Sequence, residues 1–145
     1  MTSSVKVIFL DIDDVLNTQP ARERGELFDS VNVEALNYVL DRTTAMIVVT
    51  STWRLCTTSA EWEEILVQAG IRANQRVLGV TPWLEGSCRG AEIAYWLESS
   101  LCDVSKYTIL DDRDDMDPCS EHLLQTSPDV GLTRGLASLV INRLF

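Results

Sequence analysis

Val5-Lys6-Val7-Ile8-Phe9-Leu10-Asp11-Ile12-Asp13-Asp14 is the stretch that decides the fold class. The run from Val5 to Leu10 is rich in β-branched and large apolar side chains, which suits a strand covered on both faces, as in a parallel sheet. It stops abruptly on carboxylates, so its carboxyl end should meet a site. Ala45-Met46-Ile47-Val48-Val49 repeats the pattern and stops on Thr50-Ser51-Thr52. Tyr107-Thr108-Ile109-Leu110 repeats it again and stops on Asp111-Asp112.

Helical segments separate these strands. Asn32 to Asp41 carries its apolar residues on one face, with Asp29, Ser30 or Asn32 available as N-cap. Ser59 to Ala69 opens on a Ser-Ala-Glu-Trp-Glu cap with an acidic first turn and ends before Gly70. Arg89 to Ser100 predicts a third helix, and Leu132 to Leu144 a closing one with Leu136, Leu139, Val140 and Leu144 inward. Gln75 to Val80 reads as a short strand leading into a loop to Ser87, and His122 to Thr126 as one more short strand. Alternation with crossovers of about a dozen residues predicts a Rossmann-like, three-layer α/β sandwich around a mostly parallel central sheet.

With 145 residues, 46% of them hydrophobic, the chain can bury a core without staples, and residues 1–145 read as a single domain. Cys56, Cys88, Cys102 and Cys119 form no CxxC pair and read as reduced thiols. No apolar run approaches the roughly 20 residues of a membrane span, and no signal-peptide pattern opens the chain, so the expectation is a cytoplasmic protein with no membrane partner. Twelve basic against 22 acidic residues give a net charge of −10. Such a field repels polyanions and disfavours an extended nucleic-acid surface, while leaving room for a nucleic-acid end at a local site.

In an open α/β sheet, ligands bind beyond the carboxyl ends of the strands. Asp11 with Asp13, Thr50 with Ser51, and Asp111 with Asp112 all arrive at that edge. Carboxylates from two strands repel one another unless a cation compensates them. A hard cation such as Mg²⁺ suits this all-oxygen set. In the Asp-x-Asp pair, Asp11 can reach metal and substrate phosphorus while Asp13 reaches a leaving oxygen. Asp111 to Asp117 is no EF-hand, because that loop needs Gly and Glu where Met116 and His122 stand.

Phe9-Leu10-Asp11-Ile12-Asp13-Asp14-Val15-Leu16 resembles the first motif of the haloacid dehalogenase (HAD) superfamily, and Ile47-Val48-Val49-Thr50 resembles its second. Arg89 fits the basic residue of the third, and Tyr107-Thr108-Ile109-Leu110-Asp111-Asp112-Arg113-Asp114-Asp115 resembles the fourth. Thr50-Ser51-Thr52-Trp53-Arg54, Gly79-Val80-Thr81-Pro82 and Arg89-Gly90-Ala91-Glu92-Ile93 are similar to the small HAD domains associated with Swiss Army Knife RNA-repair proteins.

The resemblance implies an aspartyl-phosphate on Asp11, with Asp13 as acid to the leaving group and then base to water. It implies that Thr50 bonds the phosphoryl group, that Arg89 offsets its charge, and that Mg²⁺ is held by Asp11, Asp13 and Asp111 with Asp112 or Asp115. Ser51 and Arg54 are candidate substrate contacts; Ser51 is an alternative to Thr50, and Arg22 and Arg24 could add phosphate contacts. Two departures stand out: Arg89 replaces the commoner Lys, and Asp14 stands where many relatives have Gly.

The short spacing between the first two motifs implies a minimal cap or none and an open site. The expected function is thus a Mg²⁺-dependent phosphatase acting on an accessible phosphorylated substrate, such as a nucleic-acid end. The alternative is a binding or regulatory domain of the same fold with little turnover, which the extra carboxylate of Asp14 leaves open. Trp53, Trp62, Trp83 and Trp96 read as packing groups, and His122, lacking a partner motif, as structural.

Overall fold

The computed structural model describes residues 4–50 and 58–145. In chain order the elements are β1 (Ser4–Leu10), α1 (Gln19–Glu23), α2 (Ser30–Arg42), β2 (Met46–Val49), α3 (Ser59–Gln68), β3 (Val77–Val80), α4 (Arg89–Ser99), β4 (Asp103–Asp111), β5 (Leu123–Gln125) and α5 (Arg134–Leu144). The five strands form one sheet in the order β3-β2-β1-β4-β5, and every pairing is parallel.

Period-2 alternation along β1 divides the core in two. Ile8 and Leu10 face a cluster with Leu36, Val39 and Leu40 of α2, Trp62 and Leu66 of α3, and Val140 and Leu144 of α5. Val7 and Phe9 face the opposite cluster, with Ile93 and Trp96 of α4 and with Met116 and Cys119. Helices therefore cover both faces, as the apolar strands require. The chain moves outward from β1 through β2 to β3, then returns to β4 on the far side of β1. Strand order reverses between β1 and β4, which is where such sheets open a crevice.

Asp29 is the cap of α2 that the structure selects, accepting from the amide of Val31. α3 is capped one residue before the expected Ser59: Thr58 and Glu61 satisfy each other's amides in a capping box. β4 begins at Asp103 instead of Tyr107, because its polar first half pairs with Ser4 to Lys6 of β1 through a register shift. That half buries little, so it carries no apolar signature. On α5, Leu139 is 47% exposed and Ala137 takes the inward position. α1 was not expected; Thr18 caps it, accepting from the amide of Ala21, and Pro20 starts it. Cys88, Cys102 and Cys119 are free thiols. Among the described residues, no helix is long and apolar enough to cross a membrane.

Candidate active site

Strand register builds the site. Leu10 lies opposite Val49 on one side and Leu110 on the other. The next residues, Thr50, Asp11 and Asp111, therefore leave three adjacent strands side by side. Backbone bonds carry the row beyond the strand ends: the Asp11 amide donates to Leu110 O (3.0 Å), Thr50 to Leu10 O (2.9 Å), and Thr126 to Asp111 O (2.9 Å). Asp11 is 5% exposed, while Thr50 and Asp111 are fully buried.

One oxygen each from Asp11, Asp111 and Asp112 lies within 4.8 Å of the others. Burial, reinforced by the charge of Asp111, pushes the Asp11 carboxyl up to about 8 in spite of Arg89. Burial and Asp111 also raise Asp112 above the ordinary carboxylate range. A hard divalent cation fits this set: three carboxylates converge, and only one buried cationic side chain compensates them among the described residues.

That side chain is Arg89, the first residue of α4. Its Nη1 donates to Asp111 Oδ2 at 2.7 Å and lies 3.3 Å from Asp11 Oδ1. Nε is buried without a hydrogen-bond partner among the described residues. α4 can approach this closely because residue 90 is glycine: a Cβ there would meet the Met116 carbonyl oxygen at 2.1 Å.

Asp13 is half-buried and joins neither the three-carboxylate group nor any side-chain hydrogen bond among the described residues. Asp115 is also outside the group. Its Oδ2 accepts from the Arg89 amide at 3.2 Å, and its Oδ1 from Arg113 Nε at 2.9 Å. Burial opposes its ionisation, but Arg113 and the Arg89 amide prevail and hold its carboxyl below the usual range. Of the two candidates for completing the metal set, Asp112 is the one gathered with Asp11 and Asp111. Ser51 and Arg54 lie outside the described residues, as does Trp53.

Asp14 has φ 66°, the left-handed conformation in which glycine costs least. Its carboxylate turns to Arg22 at 2.9 Å. Arg24 pairs with Glu26 at 3.0 Å, so Arg22 and Arg24 each meet a carboxylate of the chain while staying partly exposed. Trp62 is buried and Trp96 packs edge-on against Phe9, but Trp83 departs from the packing expectation: it is 57% exposed on the loop that leaves β3. His122 stacks on Tyr107 with centroids 3.9 Å apart, a structural placement.

An all-parallel α/β sheet with an acidic centre at its switch point defines a Rossmann-like domain able to hold a metal ion. Residues 7–137 match the family described as the HAD domain in Swiss Army Knife RNA repair proteins, and the chain belongs to that family. Comparison with curated proteins and with solved structures returns no match.

Proposed function

We propose that the protein is a Mg²⁺-dependent phosphatase that works through an aspartyl-phosphate on Asp11, on an accessible phosphate monoester such as a nucleic-acid end. The observation that carries this reading is the buried Arg89 guanidinium, shared between Asp11 and Asp111 beside a third carboxylate. A buried acidic cluster sharing one guanidinium is costly in a merely structural role and useful where a phosphoryl group and a cation meet.

In this reading an Asp11 oxygen attacks phosphorus, the ester P–O bond breaks, and Asp13 protonates the departing oxygen. Asp13 then takes a proton from water, whose oxygen displaces Asp11 and releases phosphate. Thr50 and Arg89 hold the phosphoryl oxygens. Asp11, Asp111 and Asp112 would hold Mg²⁺, which supplies charge neutralisation at the phosphoryl group. The binding-domain alternative rests on Asp14, whose carboxylate pairs with Arg22 and also interacts with Asp112; turnover in the assay below separates the two readings.

The test is phosphate release from p-nitrophenyl phosphate with Mg²⁺, for wild type and Asp11→Asn, followed by a panel of 3′- and 5′-phosphorylated oligonucleotides and phosphopeptides. Turnover in wild type alone is expected, with oligonucleotide ends preferred. Equal Mg²⁺-dependent turnover by Asp11→Asn would rule out the covalent route.

A further inference from the structure

We infer that Asp115 is a positioning residue that clasps the first turn of α4 and so aims Arg89, rather than a ligand of the metal. The inference rests on the phosphatase reading for its catalytic consequence, but its structural half stands on contacts alone. Both carboxylate oxygens of Asp115 are taken. Oδ1 accepts from Arg113 Nε at 2.9 Å; Oδ2 accepts from Arg113 Nη2 and, at 3.2 Å, from the amide of Arg89. The backbone carbonyl of Asp115 also accepts from the amide of Gly90 at 3.0 Å. A single residue thus receives two consecutive amides at the start of α4, donors that a helix's first turn otherwise leaves without partners.

Arg113 completes the clasp. Its own amide donates to Asp111 Oδ1 at 3.0 Å, which ties the segment holding Asp115 back to the carboxylate centre. The path runs from Asp111 through Arg113 and Asp115 to the backbone of Arg89, and returns through the Arg89 guanidinium to Asp111 Oδ2 at 2.7 Å. This ring fixes both ends of Arg89. Cys88, at the N-cap position of α4, makes no side-chain cap hydrogen bond, so Asp115 supplies from a distant loop what a Ser or Asp would supply locally. Gly90 permits the approach, since any Cβ there would strike the backbone of Met116.

Displacing a charge-stabilising group by about 1 Å can cost on the order of 100-fold in rate. Three measurements on Asp115→Ala, Asp115→Asn and Asp112→Asn test the clasp. Amide hydrogen exchange over residues 89–92 should accelerate in Asp115→Ala and less in Asp115→Asn, which keeps an acceptor oxygen. Mg²⁺ should raise the melting temperature of wild type and of both Asp115 variants alike, and fail to do so in Asp112→Asn. With p-nitrophenyl phosphate, kcat of Asp115→Ala should fall about 10- to 100-fold while half-saturating Mg²⁺ stays within about twofold of wild type. A tenfold or greater rise in half-saturating Mg²⁺, or loss of the Mg²⁺-induced melting shift, in either Asp115 variant would make Asp115 a ligand and overturn the proposal; so would unchanged exchange over residues 89–92. If Asp115→Ala does not fold, Asp115→Asn carries the same three readouts. Wild type without turnover would defeat the phosphatase reading, while exchange and melting would still decide the clasp.

Discussion

Arg89 and Asp111 form a buried ion pair, Nη1 to Oδ2 at 2.7 Å, with side chains 3% and 0% exposed. Twenty-two residues separate them in sequence, and the pair ties the first residue of α4 to the last residue of β4. Asp11 lies at 3.3 Å from the same nitrogen, so one cation serves two carboxylates.

Removing that cation should be expensive. Breaking a buried pair from one side typically costs about 3–5 kcal/mol because the remaining charge is left uncompensated. Arg89→Ala should lose stability on that scale in chelator, and Mg²⁺ should restore part of it by neutralising Asp11 and Asp111. Denaturant midpoints with and without Mg²⁺ measure both effects; a loss below about 1 kcal/mol would show that the pair contributes little. Phosphatase activity should fall with it, and Arg89→Lys should recover charge without the guanidinium's second donor.

The raised Asp11 carboxyl gives stability a definite pH slope. Its ordinary value is 3.8 and its folded value about 8, chiefly through burial and next through Asp111. Between those values the folded chain keeps a proton that the unfolded chain has released, so unfolding free energy falls as pH rises. Below about pH 4 the contribution is fully present, and above about pH 8 it is gone. In chelator, melting temperature should therefore drop between about pH 5 and about pH 8, and Asp11→Asn, with no proton to lose, should drop less. Saturating Mg²⁺ should flatten the wild-type profile by binding the ionised form. A chelated wild type that melts no lower at the alkaline end than Asp11→Asn contradicts the assignment.

Asp13 should show its role through the leaving group. As general acid it matters most for a poor leaving group, so Asp13→Asn should lose roughly 10²–10⁴-fold on sugar-type phosphates and less on p-nitrophenyl phosphate. With the good leaving group, the variant should also accumulate aspartyl-phosphate, visible by mass spectrometry of quenched enzyme. A loss independent of leaving-group pKa, with no trapped intermediate, would assign Asp13 to architecture.

Gly90→Ala tests the close approach of α4 to the loop after β4. The added methyl would sit 2.1 Å from the carbonyl carbon and oxygen of Met116, far inside contact distance, and the obstacle is backbone. Overpacking of this kind costs about 1–3 kcal/mol or more, and here it also pushes Arg89 away from Asp111. Both stability and kcat should fall; a variant as stable as wild type would mean that α4 can shift without cost.

The apolar runs of β1, β2 and the second half of β4, each ended by a polar residue, were sufficient to predict a parallel sheet with Asp11, Thr50 and Asp111 at one edge. Burial on both faces demands such runs, and parallel strands put their carboxyl ends together whatever the loops do. The sequence could not reveal the first half of β4, where backbone pairing holds polar residues in place, or the phase of α5, where Ala137 and Leu139 exchange the expected positions. Nor did the sequence foresee α1, although Thr18 and Pro20 are a cap and a helix start that could have signalled it.

Within the site, the sequence determined which residue types meet, and the tertiary structure decided which carboxylate does what. Asp112 and Asp115 stand close together in the chain and look equivalent there. In the fold, Asp112 joins Asp11 and Asp111, while Asp115 is taken by Arg113 and by the amide of Arg89, 26 residues away. The same holds for Asp14, whose partners in the fold are Arg22, eight residues on, and Asp112 of the acidic cluster. Hydrophobic periodicity is a local property written into each segment, whereas the partner of a charge is set by whatever distant cation the packing of helices and loops brings within about 3 Å, and that distance exists only in the folded chain.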